Sequence, residues 1–212
     1  MKLNLPNKLT LARMIMVPFL MVFITFDFGL GVWSRLIAAF FFALASFTDF
    51  LDGYLARRDN LVTNFGKFMD PLADKLMVFV ALISLCYVTG RDTLFAYDLF
   101  GHPVVDQAER VYGVCLLAVT VLVIFRELAV TSMRMVVTNT DGVVIAANWL
   151  GKVKTCVQIL FILIAIIEPM FDYEFLGGHA ASYVAMIAMA VMTLWSGIEY
   201  FKGYWKYINP SV

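Results

Sequence analysis

Four aspartates, Asp49, Asp52, Asp70 and Asp74, share a short stretch of chain with two glycines, Gly53 and Gly66. A helix advances about 100° per residue, so Asp49, Asp52, Gly53 and Ala56 fall within about 100° of arc. Gly66, Asp70 and Asp74 do the same on a second helix. Two adjacent antiparallel helices carrying these faces would each turn a pair of carboxylates toward one point. Hard oxygen donors that converge repel one another unless a hard cation joins them, which suits Mg2+ or Mn2+. Glycine at the same face leaves room for a bulky group to come close. Each piece also has an ordinary structural explanation. Asp70 before Pro71 is a good N-cap followed by a first-turn proline, and the glycines could serve helix packing alone. Four acids on two matching faces are harder to explain in that way.

The elements that carry these residues must cross a membrane. The chain has 212 residues, 62% hydrophobic and 15% charged, with a mean hydropathy of +0.83. Soluble domains run about 45–50% apolar and about 25% charged, and a water-facing globule of this size could not hide so much apolar surface. Disorder, collagen and coiled coil are excluded on the same grounds. A spanning helix needs about 20 mostly apolar residues. That length predicts six transmembrane helices, at 9–28, 33–57, 65–89, 111–138, 146–168 and 180–203, in an all-α polytopic membrane protein. The first is a retained span, because no small-residue cleavage site follows it. Gly29 and Gly31 make the turn into the second.

Cations orient the bundle. Lys2, Lys8, Arg13, Arg57, Arg58, Lys67, Lys75, Arg126, Arg134, Lys152, Lys154, Lys202 and Lys206 fall on the side of both termini, leaving Arg35, Arg91 and Arg110 for the other. Both termini are therefore expected in the cytoplasm. The four aspartates lie at the same ends, beside the 58–64 loop. That position matters, because an ionised residue at the bilayer centre costs about 2.5–3.5 kcal/mol on insertion scales.

The pattern Asp49-x2-Asp52-Gly53-x2-Ala56-Arg57-x8-Gly66-x3-Asp70-x3-Asp74 resembles the signature of the CDP-alcohol phosphotransferases, with every signature position filled. These are six-helix membrane enzymes, usually homodimers, that move a phosphatidyl or phospho-alcohol group from a CDP-linked donor to an alcohol and release CMP. Asn4 to Arg13 (NLPNKLTLAR), Arg126 to Arg134 and Asn148 to Gln158 look like the bacterial phosphatidylglycerophosphate synthase branch. That likeness implies CDP-diacylglycerol as donor, sn-glycerol 3-phosphate as acceptor, and a place in the bacterial cytoplasmic membrane. It covers at least residues 4–158; the final span matches only in being apolar. The whole chain, 1–212, is expected to form one such domain.

The resemblance implies a two-metal site on Asp49, Asp52, Asp70 and Asp74, with Asp74 the candidate base for the acceptor hydroxyl. Gly53, Ala56 and Gly66 would admit cytidine and pyrophosphate, with Arg57 placed for a phosphate, which suits a planar fork of donors. The acceptor carries its own phosphate. Arg126, Arg134, Lys152 and Lys154 are the cations available for it, although each could equally be a snorkelling helix-end residue. Glu127 would orient an arginine or offset charge. Asn7, Thr10 and Arg13 are candidates to close the site from the amino-terminal segment.

Rival functions remain at this level. Serine, inositol phosphate or phosphatidylglycerol could be the acceptor. A divalent-cation transporter would also place acids in spans, but its sites lie near the midplane and accompany internal repeats, which this chain lacks. A net charge of zero offers no field for nucleic acid. Cys86, Cys115 and Cys156 have no metal or redox spacing, and His102 and His179 fall in polar connections.

Overall fold

The computed structural model describes residues 5–26, 28–58, 64–91, 107–141, 149–171 and 179–208. Side chains at 5–7, 50–58, 64–68, 70–71, 107–108, 138–141 and 206–208 lie outside the description. The structure is all-helical: α1 (Leu5–Thr25), α2 (Val32–Arg58), α3 (Asn64–Thr89), α4 (Gln107–Asp141), α5 (Trp149–Ile167), a 3-10 turn (Glu168–Met170) and α6 (Ala180–Ile208). All six α-helices are long and apolar enough to cross a membrane, as expected.

Helix ends depart from the expected bounds by up to five residues, α6 running on to Ile208, and two of the departures have a clear physical reading. α1 stops at Thr25 because the turn needs three left-handed residues, Phe28 (φ 51°), Gly29 (φ 71°) and Gly31 (φ 55°). Glycine takes that conformation without strain. Phe28 is held there by ring contacts 5.9 Å from both Phe23 and Phe26. Ser34 closes the turn by donating to the carbonyls of Phe23 (2.9 Å) and Phe26 (3.0 Å), which satisfies acceptors at a helix end. α4 is longer than expected, at 35 residues; at about 1.5 Å per residue it outreaches the hydrocarbon layer.

The bundle divides into two halves. α1 packs along both α2 and α3, while α4 and α5 both pack along α6; α2 with α5, and α3 with α4 and α5, join the halves. Fully buried Ala38 on α2 and Ala81 on α3 allow close approach where no hydrophobic effect drives association. Phe42, Leu82, Leu116, Phe161 and Met189 fill the centre. Phe40, Phe47, Phe125 and Val184 point outward, where lipid replaces water as their solvent.

The six helices alternate in direction. One end of each meets at a cavity of about 120 Å³ lined by Arg35, Thr89, Glu109, Tyr112, Pro169 and His179, among others. Tyr112 and His179 stack there, centroids 4.2 Å apart. At this end Glu168 accepts from the backbone N–H groups of Ala181 (2.9 Å) and Ser182 (3.0 Å) at the start of α6. A carboxylate suits the positive pole of a helix. The four aspartates belong to the other end.

Candidate active site

The first part of the site is built by α1, α2 and α3. Arg13 points from α1 into their junction and is wholly buried. Its Nη1 donates to Asp49 Oδ1 of α2 at 2.6 Å and also to Asp74 Oδ1 of α3. One cationic nitrogen therefore touches carboxylates from two helices. The aspartate side chains keep 39% and 47% exposure, so the acids face outward while their counter-ion sits behind them. Beneath them, the Ser46 hydroxyl contacts Met77 Sδ at 3.9 Å, fixing the spacing of α2 and α3. Thr10 lies one turn before Arg13 and is buried.

Asp52 follows Asp49 by three positions on α2, and Asp70 precedes Asp74 by four on α3. The side chains of Asp52 and Asp70 lie outside the description. So do the side chains of Asn7, Ala56 and Arg57, and the surroundings of Gly53 and Gly66. Among the described residues no cluster of three potential metal ligands forms. The donor set that is described fits a divalent cation: two half-exposed carboxylates converge to hydrogen-bond distance of a single positive centre.

The second part joins α3 to the other half of the bundle. Lys75, next to Asp74 but about 100° round α3, donates to Thr131 Oγ1 on α4, and Thr131 in turn donates to the Glu127 carbonyl at 2.7 Å. Glu127 Oε1 accepts from Arg126 Nη1 at 3.0 Å and from Lys154 Nζ of α5. Arg126 Nη2 reaches Ser196 Oγ of α6. Both Arg126 and Lys154 are buried, so Glu127 partners two cations where water is scarce. Arg126, Lys154 and Lys75 against one Glu127 leave a positive excess, which suits an anion. Lys75 lies within electrostatic reach of Asp74 on one side and of Glu127 and Arg134 on the other. The two parts of the site are thus neighbours.

Of the four cations expected to serve the acceptor, the structure brings Arg126 and Lys154 together and lays Arg134, exposed at the rim, against the Tyr200 ring at 5.9 Å. Lys152 is exposed. It precedes Lys154 by two residues, so the helical period turns it about 160° away from that cluster. Sequence reasoning missed the contributions of Lys75, Thr131, Ser196 and Tyr200. The available signal was polarity at helical spacing inside apolar spans, as with Ser196 and Tyr200 four residues apart.

Residues 3–195 match the family described as CDP-alcohol phosphatidyltransferase. The chain is 39% identical over 217 residues, 98% of each chain, to the CDP-diacylglycerol–glycerol-3-phosphate 3-phosphatidyltransferase of Bacillus subtilis. It is 32% identical over 207 residues, 97% of each, to the protein of that name from Yersinia enterocolitica. The Salmonella choleraesuis protein of the same name is 33% identical over 202 residues, 94% of each. Signature spacing, a six-helix bundle with paired carboxylates and near full-length similarity agree: this chain belongs to the CDP-alcohol phosphatidyltransferase family.

Proposed function

We propose that this protein transfers the phosphatidyl group of CDP-diacylglycerol to sn-glycerol 3-phosphate, giving phosphatidylglycerophosphate and CMP. The observation that carries this reading is the convergence of Asp49 and Asp74 on Arg13 Nη1, beside the cation cluster around Glu127. The names of the relatives support the same substrates.

The acceptor hydroxyl attacks the phosphorus that bears diacylglycerol, the bond from that phosphorus to the CMP oxygen breaks, and CMP leaves with the electron pair. Asp49, Asp52, Asp70 and Asp74 are the residues that would hold Mg2+ or Mn2+, which would neutralise the pyrophosphate and ease departure of CMP. Asp74 takes the hydroxyl proton; it adjoins Lys75, so the acceptor side lies next to it along α3. Arg13 keeps Asp49 and Asp74 from repelling each other and offers its guanidinium to donor phosphate. Gly53, Ala56, Arg57 and Gly66 form the donor side, with Asn7 and Thr10 closing it. Arg126 and Lys154, with Arg134 at the rim, hold the acceptor phosphate.

The diacylglycerol tails stay in lipid, so the reacting phosphate sits at headgroup depth. The basic bias of that end supports a cytoplasmic site in the inner membrane. The whole chain acts as one domain, and the active form is a homodimer. Purified protein given CDP-diacylglycerol with glycerol 3-phosphate, serine, inositol phosphate or phosphatidylglycerol in turn should release CMP with the first alone. It should stop in chelator and restart with Mg2+ or Mn2+. CMP release with serine and none with glycerol 3-phosphate would overturn the acceptor assignment.

A further inference from the structure

The cation cluster is framed by a helix that no recognised motif reaches. Tyr200 of α6 is buried, and two guanidinium groups lie against its ring, Arg126 at 5.3 Å and Arg134 at 5.9 Å from the centroid. The ring stacks on Tyr204, planes 13° apart. α5 makes room for it: a Cβ on Gly151 would come to 3.3 Å from the Tyr200 hydroxyl. One turn earlier on α6, Ser196 accepts from Arg126 Nη2. Between them Gly197 leaves space for the Arg126 stem, whose Cγ would lie 3.4 Å from an added Cβ.

Donors in the same region lack acceptors. Arg126 Nε and Gln158 Nε2 are both buried with no hydrogen-bond partner. Gln158 lies four residues beyond Lys154, on its face of α5. A buried unmatched donor is costly, and a phosphate brings several acceptor oxygens at once.

We infer that Tyr200 and Ser196 are positioning residues for the acceptor, setting Arg126 and Arg134 as one anion-binding pair. The inference rests on the proposed acceptor reading. Two like charges near each other repel, and the negative face of an aromatic ring reduces that repulsion while fixing where the guanidinium planes lie. Arg134 is exposed and Arg126 buried, so the ring links a surface cation to an interior one and defines a route inward for a phosphorylated alcohol. Gln158 Nε2 is then an available donor at the inner end of that route. Ser196 fixes the rotation of the Arg126 fork.

The test uses the full chain in detergent and lipid, with KM measured separately for glycerol 3-phosphate and CDP-diacylglycerol. Tyr200→Leu should raise the glycerol 3-phosphate KM about tenfold and move the donor KM less than twofold, the scale of losing a desolvated cation–π contact. Tyr200→Phe keeps the ring and should recover most of that loss. Ser196→Ala, a gentler change, should raise the acceptor KM about threefold. Equal changes in both KM values, or none in either, overturn the inference, and so does a Tyr200→Phe defect as large as that of Tyr200→Leu. If the wild type releases CMP only with a different alcohol, the acceptor reading fails instead, and the same KM split read with that alcohol still decides the role of Tyr200. If Tyr200→Leu does not fold, the Ser196→Ala split decides.

Discussion

The two charged centres of this bundle are built in opposite ways. Among α1, α2 and α3 the acids are half-exposed and the cation they share, Arg13, is buried. Across α4, α5 and α6 the cations Arg126 and Lys154 are buried, and they share a single carboxylate. The first centre presents negative oxygens to whatever arrives, which suits a metal-bound pyrophosphate. The second holds positive charge in excess at low dielectric, where each charge acts more strongly on an incoming anion. On the proposed reading, one half of the bundle serves the donor and the other the acceptor. Asp74 and Lys75, adjacent on α3, are where the two meet.

Breaking the chemistry at that meeting point should give the largest effect. Asp74→Asn keeps the shape and removes the proposed base, so CMP release should fall about a thousandfold while CDP-diacylglycerol binding, read by direct titration, changes little. Undiminished CMP release would remove Asp74 as the base. Next comes the acceptor half alone: Arg126→Gln should raise the glycerol 3-phosphate KM about thirtyfold, the scale for truncating a buried charged partner, and should spare the donor KM. Equal shifts in both would erase the contrast between the halves.

A smaller effect is expected from the donor half without substrate. Arg13→Ala leaves Asp49 and Asp74 facing each other, so the melting temperature in chelator should drop by about 6–20 °C, and Mn2+ should restore part of it. A melting temperature unchanged in chelator would deny Arg13 its counter-ion role. The smallest effect belongs to Lys152→Ala. Its exposed side chain points away from Lys154, and both KM values should stay within about twofold of wild type. A tenfold rise in the acceptor KM would return Lys152 to the cluster.

The same contrast explains what was legible in the sequence. The acidic centre draws on residues close along the chain, and their spacing at a helical period reveals the shared face. The ion pairs of Arg13 with Asp49 and Asp74 were not legible, because nothing local links position 13 to position 49. The cationic centre draws on α3, α4, α5 and α6, and no periodicity relates Lys75 to Glu127 or Arg126 to Tyr200. Helix packing alone brings them together. The spans themselves were legible because the bilayer imposes a length. Their ends were less so, since the turn after Thr25 depends on a left-handed Phe28, which few sequences would lead one to expect.

Glu168 gives the far end of the bundle a say in this. By gripping the first amides of α6 it locks the azimuth of that rod, and Tyr200 follows Ser182 by eighteen residues, which is five whole turns. The aromatic side chain thus lies directly below the grip, about 27 Å down the axis. The two contacts therefore share one azimuth of a single rod, so the register of α6 at its first turn and the heading of Tyr200 are set together.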